Sequence, residues 1–223
     1  YLANNVIGSA ADIVCFPIAV QGVTIDCTPG VTRYSITTTA SGSHGVRVTG
    51  NLISATVKDC TINTPLTSVG IGISSTTSLT AINNIITTDN SASSRGITVQ
   101  ITTGTQQRTI LLTNNIISSQ IGIYLQSNVN LNPGSGISNN TISASGTGIY
   151  VSDFSGVINI PISGNSVCGG TSKSIRIDSI NSQMGSYGTN YNLCDICDHQ
   201  WPWPSSSNIC STTSGVGICD NVC

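Results

Sequence analysis

The hydrophobic positions of this chain fall into a short motif that returns at a nearly constant interval. Gly22-Val23-Thr24-Ile25 is followed by Gly45-Val46-Arg47-Val48, Gly70-Ile71-Gly72-Ile73, Gly96-Ile97-Thr98-Val99, Gly122-Ile123-Tyr124-Leu125, Gly148-Ile149-Tyr150-Val151 and Ser174-Ile175-Arg176-Ile177. Successive copies lie 23, 25, 26, 26, 26 and 26 residues apart. The second and fourth positions are always aliphatic, and the third is polar, aromatic or glycine. Period-two alternation predicts a strand buried on one face, because successive side chains of a strand point to opposite sides. The second and fourth positions are therefore expected in the core. Arg47, Tyr124, Tyr150 and Arg176 are expected outside. Glycine ahead of the strand fits a corner that needs a positive φ or a close backbone approach.

A second motif lies between these strands. It reads Asn4-Asn5-Val6-Ile7, Asn83-Asn84-Ile85-Ile86, Asn114-Asn115-Ile116-Ile117, Asn139-Asn140-Thr141-Ile142 and Gly164-Asn165-Ser166-Val167. Degenerate copies are Arg33-Tyr34-Ser35-Ile36, Asp59-Cys60-Thr61-Ile62 and Asn190-Tyr191-Asn192-Leu193. Stacked asparagines can bond to one another as an amide ladder, and asparagine tolerates a left-handed corner. A fixed period with buried columns predicts a solenoid in which each coil adds about 4.8 Å and covers its neighbours.

On these two motifs, residues 4–194 resemble the parallel β-helix repeat of the pectate-lyase-like superfold. The resemblance implies an all-β, right-handed parallel β-helix of about 26-residue coils. Residues 1–194 form the β-helix, and 195–223 a cysteine-rich C-terminal cap that covers the open end. The fold hosts many activities, so function has to come from particular residues.

Only 7% of the residues are charged, there is no glutamate, and the formal net charge is −2. Nothing in that balance suits nucleic acid or an anionic membrane. No apolar run reaches the roughly 18 residues of a membrane span. Nine cysteines point to an oxidising, extracellular or cell-surface location, and their odd number leaves one over. The chain opens on Tyr1, as a mature or trimmed product would.

Candidate chemistry is sparse. The position after the tetrapeptide carries Asp26 and Asp178, six coils or about 29 Å apart, whereas glycosidase carboxylates sit within about 10 Å of each other. Asp153 and Asp178, with Arg176, are the closest acidic candidates for an enzyme. Ser43-His44-Gly45 and Arg176-Ile177-Asp178 resemble polygalacturonase motifs, but the first glycine and the lysine of those motifs are missing. Cys194-x-x-Cys197 followed by His199 admits a zinc reading, but the spacing of Cys210, Cys219 and Cys223 fits disulfides better. No cofactor and no metal are expected.

Several further positions carry expectations. Aligning the second motif pairs Cys168 with Cys194 one coil away, within disulfide reach. Cys197, Cys210, Cys219 and Cys223 then staple the cap. Trp201 and Trp203 are either a cover for the last coil or platforms for sugar rings. Asn139 heads the single N-x-S/T sequon and is placed in the ladder. Outward Thr37, Thr38, Thr64, Thr87, Thr88, Ser118, Ser119 and Ser143 suggest either O-glycans or a hydroxyl array, the latter interrupted by Asn63, Ala144 and Cys168.

The expected function is an extracellular structural or surface protein, a glycosylated filament or coat subunit that self-associates end to end or laterally. The alternatives are a carbohydrate-active β-helix enzyme or carbohydrate-binding module, with glycans or polysaccharide as partner, and, third, an ice-binding β-solenoid.

Overall fold

The computed structural model describes residues 4–8, 14–28, 30, 32–49, 54–65, 68–74, 78–101, 108–127, 131–153, 160–169, 175–178, 190–192, 208–212 and 215–218. Among these the chain is all-β and winds as a parallel solenoid with three strands to a coil. Column A holds β3 (Val23–Asp26), β6 (Ser54–Lys58), β9 (Ser78–Ile82), β12 (Ile110–Thr113), β14 (Gly136–Ser138) and β16 (Ile162–Ser163). Column B holds β1 (Val6–Ile7), β4 (Ser35–Thr37), β7 (Thr61–Thr64), β10 (Ile85–Thr88), the starts of β13 (Ile116–Ser127) and β15 (Thr141–Asp153), then β17 (Ser166–Gly169) and β19 (Asn190–Asn192). Column C holds β2 (Val14–Ile18), β5 (His44–Thr49), β8 (Val69–Ser74), β11 (Arg95–Ile101), the ends of β13 and β15, and β18 (Ile175–Asp178). Because β13 and β15 run through the corner between B and C, those columns merge into one 15-stranded sheet.

The register follows the repeat. Val46 pairs with Ile71, Ile71 with Ile97, Ile97 with Ile123, Ile123 with Ile149 and Ile149 with Ile175. In column B, Ile36, Ile62, Ile86, Ile117, Ile142 and Val167 stack one above another. These inward side chains are buried, Ile123 and Leu125 fully, except Ile175, which is partly buried. Burying one such side chain contributes about 1.5–3 kcal/mol.

One copy of the tetrapeptide is out of place. Val23 and Ile25 pair with Ala55 and Val57 in column A, and the coil beneath β5 is supplied by β2, with Phe16 on Val46 and Ile18 on Val48. The 23-residue first spacing marks the change. Aliphatic alternation is the same in every column, so local pattern alone does not tell A from C. Asp26 therefore does not belong to the outward row that ends at Asp178. It pairs instead with Lys58 at 2.7 Å.

The two corners that give the repeat its punctuation have different causes. At the A-to-B corner the first residue is left-handed, with φ of 57° at Asp59, 56° at Asn83, 55° at Asn114 and 55° at Asn139. The second residue is buried and forms the ladder. Asn84 Nδ2 donates to Asn115 Oδ1 (2.9 Å), Asn115 Nδ2 to Asn140 Oδ1 (3.0 Å) and Asn140 Nδ2 to Asn165 Oδ1 (2.9 Å). Each acceptor also takes the backbone N–H of the asparagine one coil back, and each amide donates to a column-A carbonyl, as Asn115 does to Ala81. Asn139 is thus exposed beside the ladder, and Asn140 is the rung. At the B-to-C corner, Gly45, Gly70, Gly96 and Gly122 have ordinary φ. A Cβ on Gly45 would lie 2.5 Å from Ile62 Cγ2 and 2.8 Å from the Gly70 carbonyl oxygen, and the other three meet Ile86, Ile117 and Ile142 in the same way. Glycine is required there by close approach.

Cys60 takes the place of a rung. Its N–H donates to Asn84 Oδ1 at 3.1 Å, and its sulfur is bonded to Cys27, with Cα atoms 4.8 Å apart, one coil rise. At the other end, β19 pairs with β20 (Asn208–Thr212), which closes antiparallel on β21 (Gly215–Ile218).

Candidate functional site: two outer faces and a first-coil cavity

The outer face of column C is a packed layer. Arg95 lies 4.2 Å above the Tyr124 ring, Tyr124 is 5.2 Å from Tyr150, and Arg176 lies 4.7 Å above Tyr150. Stacking of guanidinium on a ring contributes about 0.5–2 kcal/mol depending on desolvation. Gln100 Nε2 donates to Gln126 Oε1 at 2.9 Å along the next outward row. Tyr124 keeps 9% of its surface and Thr98 only 5%, so both are buried on the outward side. Tyr150, Arg47 and Arg176 are half-buried. These residues lie on the outward side as expected, and packing within the layer covers them: Arg95 and Arg176 close over the two rings.

His44 opens column C. Its ring lies over Gly72, whose missing side chain makes room for it, and its Nδ1 is buried without a partner. Burial, aided by Arg47, lowers its pKa to about 4. It is neutral near pH 7, and it sits three residues from Arg47 and coils away from Arg176.

The described carboxylates have structural tasks. Asp26 accepts from Lys58 and from the Thr28 N–H, and both bonds hold its pKa below the ordinary value. Asp59 occupies the left-handed corner and accepts from Asn83. Asp89 accepts from Ser91 and Ser94 in the turn before β11. Asp178 is in register with Ser152, and Asp153 with Ser127, so the two aspartates lie on adjacent strands one position out of step.

The outer face of column B is different. Two rows run across six strands. One is Ser35, Thr61, Ile85, Ile116, Thr141 and Ser166, and the other is Thr37, Asn63, Thr87, Ser118, Ser143 and Cys168. Thr87, Ser118, Thr141 and Ser143 are exposed, as is Ile116 at 53%. Thr38, Thr64, Thr88 and Ser119 point inward and are buried, which removes them from the expected array. Ala144 is also inward and buried, so it does not interrupt the face. The buried hydroxyls of the corner find different partners: Thr38 Oγ1 bonds to Ser43 Oγ at 2.6 Å, Thr88 donates to the Asp89 carbonyl and Ser119 to the Ile121 carbonyl.

The first coil ends in an apolar cavity of about 290 Å³ lined by Phe16, Ile18, Val20, Val23 and Ile25 among others. Val20 is 66% exposed at its rim. Pro17 lies in the terminal strand β2 and has no N–H to offer beyond it.

Cys168 is disulfide-bonded. β17 pairs with β19 as Ser166–Tyr191 and Val167–Asn192, one residue off the alignment behind the Cys168–Cys194 expectation. Cys194, Cys197, Cys219, Cys223, Trp201 and Trp203 lie outside the described residues, and Cys210 is described only as part of β20. Among the described residues no three His, Cys or acidic side chains come together, and no helix is long and apolar enough to cross a membrane. No protein-family model, curated protein or solved structure matches the chain. What it does must therefore be argued from the solenoid's own surfaces.

Proposed function

We propose that this chain is an extracellular structural solenoid, a surface or filament subunit that works by contact and associates through its first coil. The observation that carries this is the apolar cavity on that coil, with Val20 exposed at its rim. Apolar surface left at the end of a stacked core favours a partner that covers it. Pro17 blocks ladder pairing along part of β2, so the contact is made by side chains in the cavity and by the edges of β1 and β3. The Cys27–Cys60 bond suits an oxidising exterior. Asn139, exposed at its corner, is the position for an N-linked glycan in this reading.

The carbohydrate reading draws no support from column C. The face of Tyr124 that would stack on a sugar is filled by Arg95, and the ring is buried. Light scattering and negative-stain microscopy test the structural reading. Elongated, concentration-dependent oligomers are expected, burying more than about 1,000 Å² per contact. Val20→Lys should return them to monomers. A wild-type monomer at all concentrations overturns the reading.

A further inference from the structure

The bare outer face of column B has no task in the reading above. Its twelve positions carry no charged and no aromatic side chain. Strands repeat about 4.8 Å apart, and outward neighbours on one strand about 6.6 Å apart, so the side chains form a rectangular grid. The register through the grid is unbroken, and the first irregularity comes beyond it, between Ser119 and Ile121. Six strands extend the grid over about 24 Å.

A second observation is that the face is apolar as well as hydroxylated. Three large hydrophobic side chains among the described residues are strongly exposed, and two of them, Ile116 and Ile7, belong to column B's outer surface. Ile116 sits in the middle of the grid, between Ile85 and Thr141. A rigid sheet that presents methyl groups and hydroxyls in fixed rows gains little from a soft protein partner, whose surface does not repeat at that spacing. Anionic surfaces call for cations, and sugar lattices call for aromatic platforms; the grid has neither. What suits such a face is an uncharged, ordered lattice of water, with hydroxyls joining the lattice and methyls ordering the water between. We infer that the outer face of column B binds ice.

The inference does not depend on assembly, since an end-on contact at the first coil leaves this face uncovered. The test uses the full chain made without glycans, because a glycan on Asn139 would stand beside Thr141 at the edge of the grid. The gap between melting and freezing points is measured by nanolitre osmometry, and fluorescently labelled protein is imaged on growing ice. Wild type should open a gap and label the crystal surface. Thr87→Tyr and Ser118→Tyr, both on exposed outward positions, should abolish both while keeping the wild-type circular dichroism. Thr80→Tyr, on the outer side of column A and away from the first-coil cavity, should keep both. A wild type with no gap and no adsorption overturns the inference. So do folded grid variants that behave as wild type, or a wild type that adsorbs to crystalline cellulose and not to ice. If the tyrosine variants misfold, Thr87→Val with Ser118→Ala, which keep the strand but strip hydroxyls, must weaken adsorption for the inference to stand.

Discussion

The A-to-B and B-to-C corners recur with the same period and are marked by equally simple residues, yet they work in opposite ways. The first is held by what asparagine adds: an amide that donates and accepts along the axis, and a neighbour that accepts a left-handed φ. The second is held by what glycine lacks, a side chain where the next coil's carbonyl and an isoleucine methyl already sit. A recurring residue therefore marks a constraint without saying whether that constraint is a bond, a dihedral or an empty space.

Removing a rung should be the most damaging change. Asn115→Ala strips the acceptor from the Asn84 N–H and amide and the donor from the Ala81 carbonyl. Each buried orphan costs about 1–3 kcal/mol, so a loss of about 4 kcal/mol is expected in urea unfolding. A loss below about 1 kcal/mol would show that the ladder is ornamental.

Adding one methyl at the other corner comes next. Gly96→Ala drives a Cβ into Ile117 and to 2.7 Å from the Gly122 carbonyl oxygen, with an expected cost of about 2–3 kcal/mol. Gly22→Ala is its control: φ there is 73° and nothing lies within reach of the new atom, so only the left-handed penalty of about 1–2 kcal/mol applies. Equal costs at the two glycines would erase the distinction between crowding and dihedral.

At the exposed first position of the ladder corner, Asn114→Ala should cost about 1 kcal/mol and Asn114→Gly close to nothing in a thermal melt, because only φ is at stake.

A pH dependence is expected at the glycine corner. The folded pKa of His44, about 4, lies below its ordinary 6.5, so the unfolded chain takes up the proton first as pH falls. Stability is full above about pH 6.5, declines between about 6.5 and 4, and is level below that. With the ring partly exposed, the decline should amount to about 1–2 kcal/mol. It should disappear in His44→Gln.

Much of this was legible beforehand. Alternation at fixed period placed Ile123 and Leu125 in the core and stacked the columns, because burial of a strand face is a one-dimensional pattern. What failed depended on position within the coil. Val23 and Ile25 look like the other aliphatic pairs and belong to another column. Asn139 and Asn140 are chemically identical, and only the sign of φ decides which enters the ladder. Thr87 and Thr88 differ by one step along a strand, which sends one to solvent and the other inside. The Cys27–Cys60 bond was hidden because its 33-residue separation exceeds a coil, although Cys60 already stood at a rung in the degenerate motif. The Arg95–Tyr124 contact joins neighbouring coils at positions three apart in register, which no single-column alignment brings together.

The lengths of the three corners differ in how freely they vary. From Val57 to Ile62, Ala81 to Ile86, Leu112 to Ile117, Ile137 to Ile142 and Ile162 to Val167, the path from A to B is five residues; only in the first coil, from Ile25 to Ile36, is it eleven. From C to A it is nine residues between Val48 and Val57, eight between Ile73 and Ala81, and thirteen between Val99 and Leu112. The solenoid thus has one closed seam and one open seam. A foreign peptide grafted into the open seam lengthens a coil in a place where the chain already varies, and does so without moving a single rung. Grafted into the closed seam, the same peptide cuts the ladder. As a display scaffold, the molecule offers cargo positions along the C-to-A edge, spaced by the rise of a coil.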